Sequence, residues 1–219
     1  MDHTYLRYEC ADSFGLTVAA GSSKAPSTSR ILAVVNSANH LLTTTGSCVT
    51  CLSLKSGQPL WKWGHRSTGI GTGRALNSDE VVCLDAVIDN TTLKVATGWV
   101  DGTVRIFDIL DDGNNSEKVV AHSLLEDPSD FLQRESLVLK GHDNPVRIVV
   151  FDKAARLASA GSNGTIILWD VVAESGLFRL VGHRAGITDL SFVDEFVISC
   201  SLDGLVKVWD LSAQCCTQT

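Results

Sequence analysis

Residues 141–170 read GHDNPVRIVVFDKAARLASAGSNGTIILWD, and residues 182–210 read GHRAGITDLSFVDEFVISCSLDGLVKVWD. The two stretches open on Gly-His pairs 41 residues apart and close on Trp-Asp pairs 40 residues apart. Between those anchors apolar residues alternate, as at Val146, Ile148 and Val150 and then Ile166 and Leu168. Turn formers fall at Asp152-Lys153 and at Ser162-Asn163-Gly164. Alternation of period two, broken by turn residues at this spacing, predicts short strands in an antiparallel meander. In the second stretch the strands fall at 187–192, 196–200 and 205–210, with a further one at 214–219.

Two weaker copies precede these. LKVATGWVDGTVRIFDI (93–109) carries Phe107-Asp108 in place of Trp-Asp and Asp101-Gly102 at the tight turn, and its Gly-His is Gly64-His65. LLTTTGSCVTCLSLKSG (41–57) places Leu52-Ser53 where Trp-Asp would stand. Two inserts interrupt the repeat, a glycine-bearing one at 66–80 and a polar, acidic one at 111–135, and both read as surface loops. A single four-stranded sheet cannot bury both of its faces, whereas several packed radially can, and a unit of ~40 residues fits one propeller blade. The expected architecture is therefore all-β: one domain over 1–219, a partial propeller with blades at 31–63, 64–139, 140–181 and 182–219.

Within each unit four polar or aromatic side chains recur at fixed spacing, and they predict a buried lock. In the last unit these are His183, Ser199, Asp203 and Trp209. The imidazole can donate to the carboxylate and accept from the hydroxyl, which in turn accepts the indole N–H, so every buried polar atom is satisfied. The preceding unit offers His142, Ser159, Asn163 and Trp169, and the one before it His65, Thr97, Asp101 and Phe107. Phe cannot donate and Asn carries no charge, so weaker locks are expected there, and none in the first unit.

Other functions find little footing. The net charge of -7 and the lack of a basic stripe oppose a direct grip on nucleic acid. The N-terminus has no signal-peptide pattern, and no apolar run approaches the ~18 residues of a membrane-spanning helix, so no membrane association is expected. Seven scattered cysteines suit reduced thiols. Cys48-x-x-Cys51 has no second ligand pair at zinc spacing, and ordinary thiols explain it and Cys215-Cys216 better. Gly69, Gly71 and Gly73 lack the strand and helix of a nucleotide fingerprint and read as a connector. The histidines are explained by the lock, with no partner nucleophile in view. No enzyme activity, cofactor or metal is expected.

Gly-His, Ser, Asp-Gly and Trp-Asp in this order resemble the WD-repeat family. The resemblance implies a β-propeller, about four blades of a larger, seven-bladed ring left incomplete at Thr219, that serves as a binding platform. IILWDVVAESGLFRLVGHRAGIT (166–188) further resembles the junction of the third and fourth blades in the nucleolar family of U-three small nucleolar RNA-associated protein twelve. Tyr5-Leu6-Arg7-Tyr8-Glu9 with Phe14-Gly15, VTCLSLKSG (49–57) and VATGWVDGTVRIFD (95–108) resemble its opening portion. That likeness implies a scaffold subunit of the small-subunit processome, acting in ribosomal RNA processing in the nucleolus. Its partners would be other UTP-B and processome proteins, with small nucleolar RNA and pre-ribosomal RNA reached indirectly. The alternative is a generic WD-repeat adaptor such as a substrate receptor of a cullin ubiquitin ligase. Receptors of that kind carry Arg two positions after Trp-Asp, where this chain has Leu110, Val172 and Ser212.

Overall fold

A computed structural model of the protein describes residues 32–35, 40–45, 48–54, 59–64, 80–89, 92–110, 135–153 and 155–219. Among the described residues, sixteen strands form four separate four-stranded antiparallel sheets. The first sheet holds β1 (Leu32–Val35), β2 (His40–Thr45), β3 (Cys48–Ser53) and β4 (Pro59–Gly64). The second holds β5 (Val81–Asp89), β6 (Thr92–Trp99), β7 (Thr103–Leu110) and β8 (Glu135–Lys140). The third is β9 (Val146–Asp152), β10 (Arg156–Gly161), β11 (Ile166–Asp170) and β12 (Ser175–Leu180), and the fourth is β13 (Ile187–Val193), β14 (Phe196–Ser201), β15 (Val206–Asp210) and β16 (Cys215–Gln218). Each sheet is a meander in chain order, and the first strands of successive sheets (β1, β5, β9, β13) approach one another. This is the blade arrangement of a β-propeller, with the first strand innermost.

The sequence unit and the blade are out of step by one strand. β8 is the outer strand of the second blade, yet Gly141-His142 follows it directly and leads into β9 of the third. β12 and Gly182-His183 repeat the arrangement one blade later. Among the described residues, both complete Gly-His pairs therefore sit at a crossing between blades.

The core lies between blades. Leu42, Val49 and Cys51 of the first blade pack with Leu84, Leu93 and Val95 of the second. Val104, Ile106 and Leu139 of the second meet Val149, Leu157 and Trp169 of the third. Ile148, Ile166 and Leu168 of the third meet Leu190, Val197 and Trp209 of the fourth. Each fully buried aliphatic side chain in these layers stabilises by roughly 1.5–3 kcal/mol. Both faces of β10 and β11 are thus covered, which is why RLASAG and IILWD are buried almost throughout. The fourth blade leaves one face open, for Val206 is 53% exposed where its counterpart Ile166 is 0%.

The turns repeat in backbone as well as sequence. Gly102, Gly164 and Gly204 all take positive φ (84°, 85° and 80°) at the tight turn before the third strand. On the opposite rim Lys153 and Asp194 (57° and 50°) and Glu174 and Gln214 (both 55°) take the same left-handed conformation in matching turns, although none is glycine. The inserts expected at 66–80 and 111–135 lie outside the described residues except at their ends: Glu80 directly precedes β5, and Glu135 is the first residue of β8 and so belongs to the sheet.

Candidate functional site: the clasps between blades

The fourth blade assembles four side chains into one chain of hydrogen bonds. Trp209 Nε1 donates to Ser199 Oγ (2.8 Å), which lies 2.7 Å from His183 Nε2. His183 Nδ1 lies 2.9 Å from Asp203 Oδ2. The carboxylate only accepts, so Nδ1 carries the proton, and in the neutral ring Nε2 accepts the Ser199 O–H. Asp203 is fixed in turn: its Oδ2 takes the Arg184 N–H (2.9 Å) and its Oδ1 the Leu205 N–H (3.0 Å). The Arg184 N–H first, and then the His183 and Leu205 donors, hold its carboxyl well below the usual carboxylate range. Ser199 is 0%, Trp209 2% and His183 6% exposed, so this is a closed structural network, with the indole edge-on to the imidazole (centroids 6.1 Å apart).

The third blade repeats part of it. His142 Nε2 lies 2.7 Å from Ser159 Oγ, and Trp169 Nε1 donates to the same oxygen (2.8 Å). Asn163, expected as the fourth member, does not bond to the imidazole. Its Oδ1 takes the Thr165 N–H (3.2 Å), and His142 Nδ1 is buried with no partner. Asp203 brings two acceptor oxygens, one for its own turn and one for the imidazole, whereas Asn163 has one, which the Thr165 N–H of its own turn takes, and its NH₂ group makes no bond to Nδ1. Burial, with the charge of Arg179 adding to it, lowers the pKa of His142 to about 4, so the ring is neutral.

The second blade is wired differently from expectation. The sequence predicts a weak lock there because Phe107 replaces the indole donor. Phe107 is buried in that place, but another tryptophan supplies the N–H: Trp99 Nε1 donates to Thr97 Oγ1 (2.9 Å), and Thr97 Oγ1 donates to Arg105 O (3.1 Å). Trp99 lies on the same strand as Thr97 and two residues beyond it, hence on the same face; that spacing is the signal which could have found it. Arg105 stacks over the Trp99 ring (4.0 Å to the centroid) and pairs with Asp101 Oδ2 (3.3 Å). Asp101 Oδ1 accepts the Thr103 N–H (2.8 Å). His65 lies outside the described residues. In the first blade Thr43, 3% exposed, occupies the serine position opposite Thr50, and Leu52 the tryptophan position opposite Leu41.

Glycines explain how these clasps join neighbours. A Cβ on Gly141 would fall 2.7 Å from Trp169 Cη2, and one on Gly182 3.0 Å from Trp209 Cη2. The glycine of Gly-His thus makes room for the tryptophan of its own unit, across a blade boundary. A Cβ on Gly164 would fall 2.6 Å from Ala185 O and 2.9 Å from His183 O, so the tight turn of one blade abuts the Gly-His loop of the next. At Gly204 nothing lies within 4 Å.

Other candidate chemistry stays scattered. Cys51 is buried in β3, and burial pushes its thiol up to about 12; Cys83 is buried, and Cys215 is free and exposed. Among the described residues no group of three or more His, Cys, Asp or Glu is placed to hold a metal, and no helix is long and apolar enough to cross a membrane.

Comparison with known proteins agrees with this geometry. Residues 133–170 and 175–210 match the WD domain, G-beta repeat family. The chain thus carries WD40 repeats on a β-propeller, and both matched segments begin near an outer strand and end on Trp-Asp. Sterol regulatory element-binding protein cleavage-activating protein of Xenopus laevis is 38% identical over 74 residues, 34% of this chain and 6% of that protein. U3 small nucleolar RNA-associated protein 15 of Saccharomyces cerevisiae is 28% identical over 123 residues, 53% of this chain and 20% of that protein. A chain in the crystal structure of the Mitotic Checkpoint Complex shares the fold with a TM-score of 0.66 at 17% identity, over 99% of this chain and 58% of that one. This chain therefore spans only a small part of the length of these two curated relatives.

Proposed function

We propose that this chain is part of a scaffold subunit of the small-subunit processome, acting in small-subunit ribosomal RNA processing in the nucleolus through protein–protein contacts. The observation that carries the reading is the seam from Trp169 to His183. Val172 is 79%, Leu177 46% and Val181 71% exposed, so packing does not dictate the residues at those positions. The resemblance of this seam to the family of U-three small nucleolar RNA-associated protein twelve therefore reports more than a shared core. The likeness to a yeast U3 small nucleolar RNA-associated protein supports it. In this reading the propeller acts by adhesion through its rims; the seam carries it, since the fold by itself names no function.

The rims differ in charge, and this bears on partner type. The rim holding the turns after β9, β11, β13 and β15 carries Asp152, Asp170, Glu174, Asp194, Glu195 and Asp210 against Lys153 and Arg156, the latter paired with Asp152 and Glu195, and so is acidic on balance. Such a rim favours basic protein segments over phosphate backbones, consistent with indirect contact with RNA. The adaptor alternative is weaker, since Val172 and Ser212 are exposed positions without the arginine that cullin receptors carry. The test is to tag the full-length protein in its own cells and recover what it binds. Small nucleolar RNA and processome proteins are expected. Their absence, with cullin-ligase subunits in their place, would sink the reading.

A further inference from the structure

The third clasp leaves one buried atom unsatisfied, and the residue beside it is chemically able to supply the missing partner. His142 is 8% exposed, its Nε2 is engaged by Ser159, and its Nδ1 has no hydrogen-bond partner. In the fourth clasp the same nitrogen faces Asp203. Asn163 stands at the equivalent place, and both it and His142 Nδ1 lie close to the open side of Gly161, whose Cβ would fall 2.8 Å from Asn163 Oδ1 and 3.0 Å from His142 Nδ1. Asn163 is exposed and is followed by Gly164, which has no side chain to screen the peptide nitrogen.

We propose that Asn163 is a deamidation site, and that the aspartyl side chain formed there completes the third clasp. The deprotonated backbone nitrogen of Gly164 attacks Cγ of Asn163. The new N–Cγ bond closes a five-membered imide, the C–NH₂ bond breaks, and ammonia leaves. Water then adds to the imide at Cγ and reopens the ring, restoring the peptide bond and leaving a carboxylate on the side chain. The net change is amide plus water to carboxylate plus ammonium. Before attack the turn must open, because the Gly164 N–H donates to Gly161 O (3.2 Å). That bond is at the long end of the range, but Gly161 and Gly164 are both buried, the latter against the Gly-His loop of the next blade, so attack requires local opening of this junction. Ring opening at the main-chain carbonyl would instead insert a methylene into the backbone. A turn closed between Gly161 and Gly164, with Gly164 against Ala185 O, has no room for it, so the aspartyl product is the one compatible with the fold. The new carboxylate can accept from His142 Nδ1–H as Asp203 does from His183.

The experiment ages the folded chain at mildly alkaline pH, digests it, and resolves amide, aspartyl and isoaspartyl forms of the 157–179 peptide by mass and chromatography. Thermal melts are run in parallel on N163D and N163Q. Aspartyl product accumulating at 163, with the melting temperature rising from that of the wild type toward that of N163D, is the expected result; N163Q, whose longer side chain does not close this imide readily, should stay unchanged. Retention of the amide in the folded chain while the urea-unfolded chain loses it would overturn the proposal. So would a mainly isoaspartyl product with a lowered melting temperature, or an N163D variant that melts no higher than the wild type.

Discussion

Lowering the pH should weaken the third clasp before it touches the fourth. His142 is buried neutral, with its pKa lowered from 6.5 to about 4 by burial first and by Arg179 second. The unfolded chain therefore binds a proton that the folded chain refuses between those values. Stability from this group is fully present above the unfolded value of 6.5 and is lost as pH falls toward about 4. The whole difference is worth about 3 kcal/mol, of which about 2 kcal/mol is lost between neutral pH and the lower part of that window. Asp203 acts in a lower window: its carboxyl is depressed, so its contribution is present above the ordinary carboxylate value and fails only below it. Urea melts of the wild type and of His142→Gln, which keeps an amide oxygen to accept from Ser159 but cannot be protonated, separate the two effects. The wild type should lose its advantage over the variant as pH falls through the histidine window. Parallel pH curves for the two proteins, or an imidazole that titrates in the folded protein at an ordinary histidine value, would refute the reasoning.

Trp209→Ala empties a fully packed aromatic site and removes the donor to Ser199, so a loss of about 3–5 kcal/mol is expected in urea melts, and less than about 1 kcal/mol would contradict its placement. Trp99→Phe keeps most of the buried ring but removes both the bond to Thr97 and part of the Arg105 stacking; about 1–2 kcal/mol should be lost, against nearly nothing if Phe107 alone supported this blade. Gly164→Ala and Gly204→Ala form a matched pair. Both strain a positive φ, costing about 1–2 kcal/mol, but only the first also drives a Cβ into Ala185 O and His183 O, so it should be the more destabilising by at least about 1 kcal/mol in thermal melts.

Much of this was legible because a repeat states its structure more than once. Two copies aligned on Gly-His and Trp-Asp give the four-strand pattern of one unit, and the Asp-Gly and Asn-Gly pairs mark the positive-φ turns at Gly102, Gly164 and Gly204. Other features depend on direction in space, which spacing does not encode. The repeat places the indole at position 107, on the neighbouring strand, whereas Trp99, two residues along β6 from Thr97, reaches the same hydroxyl from its own strand. The left-handed Lys153, Glu174, Asp194 and Gln214 carry no glycine to announce them; their conformation is imposed by closing a short turn between strands already fixed by the core. That Asn163 weakens the third clasp was legible, since it carries no charge, but not that His142 Nδ1 is left with no partner, because Asn and Asp have the same shape and differ at one atom.

That last difference also bears on what the Gly-His and Trp-Asp pairs are for. Gly141 sits at the end of the second blade's outer strand, and Trp169 on the third strand of the next blade reaches under it; Gly182 and Trp209 repeat this one blade later. The pairs that define one sequence unit therefore tie two blades together, and the hydrogen bonds to Ser159 or Ser199 fix the tryptophan at the crossing. A clasp that loses one bond loosens a junction rather than a single blade. The second junction is secured by Trp169 with an incomplete clasp, and the third by Trp209 with a complete one. If junctions open independently, amide exchange should be faster along β10 and β11 than along β14 and β15 at equal solvent exposure. N163D should slow the former without changing the latter. Equal exchange in both blades, or a change shared by both on substitution, would mean that the blades open as one unit and that the clasps do not set the order in which they part.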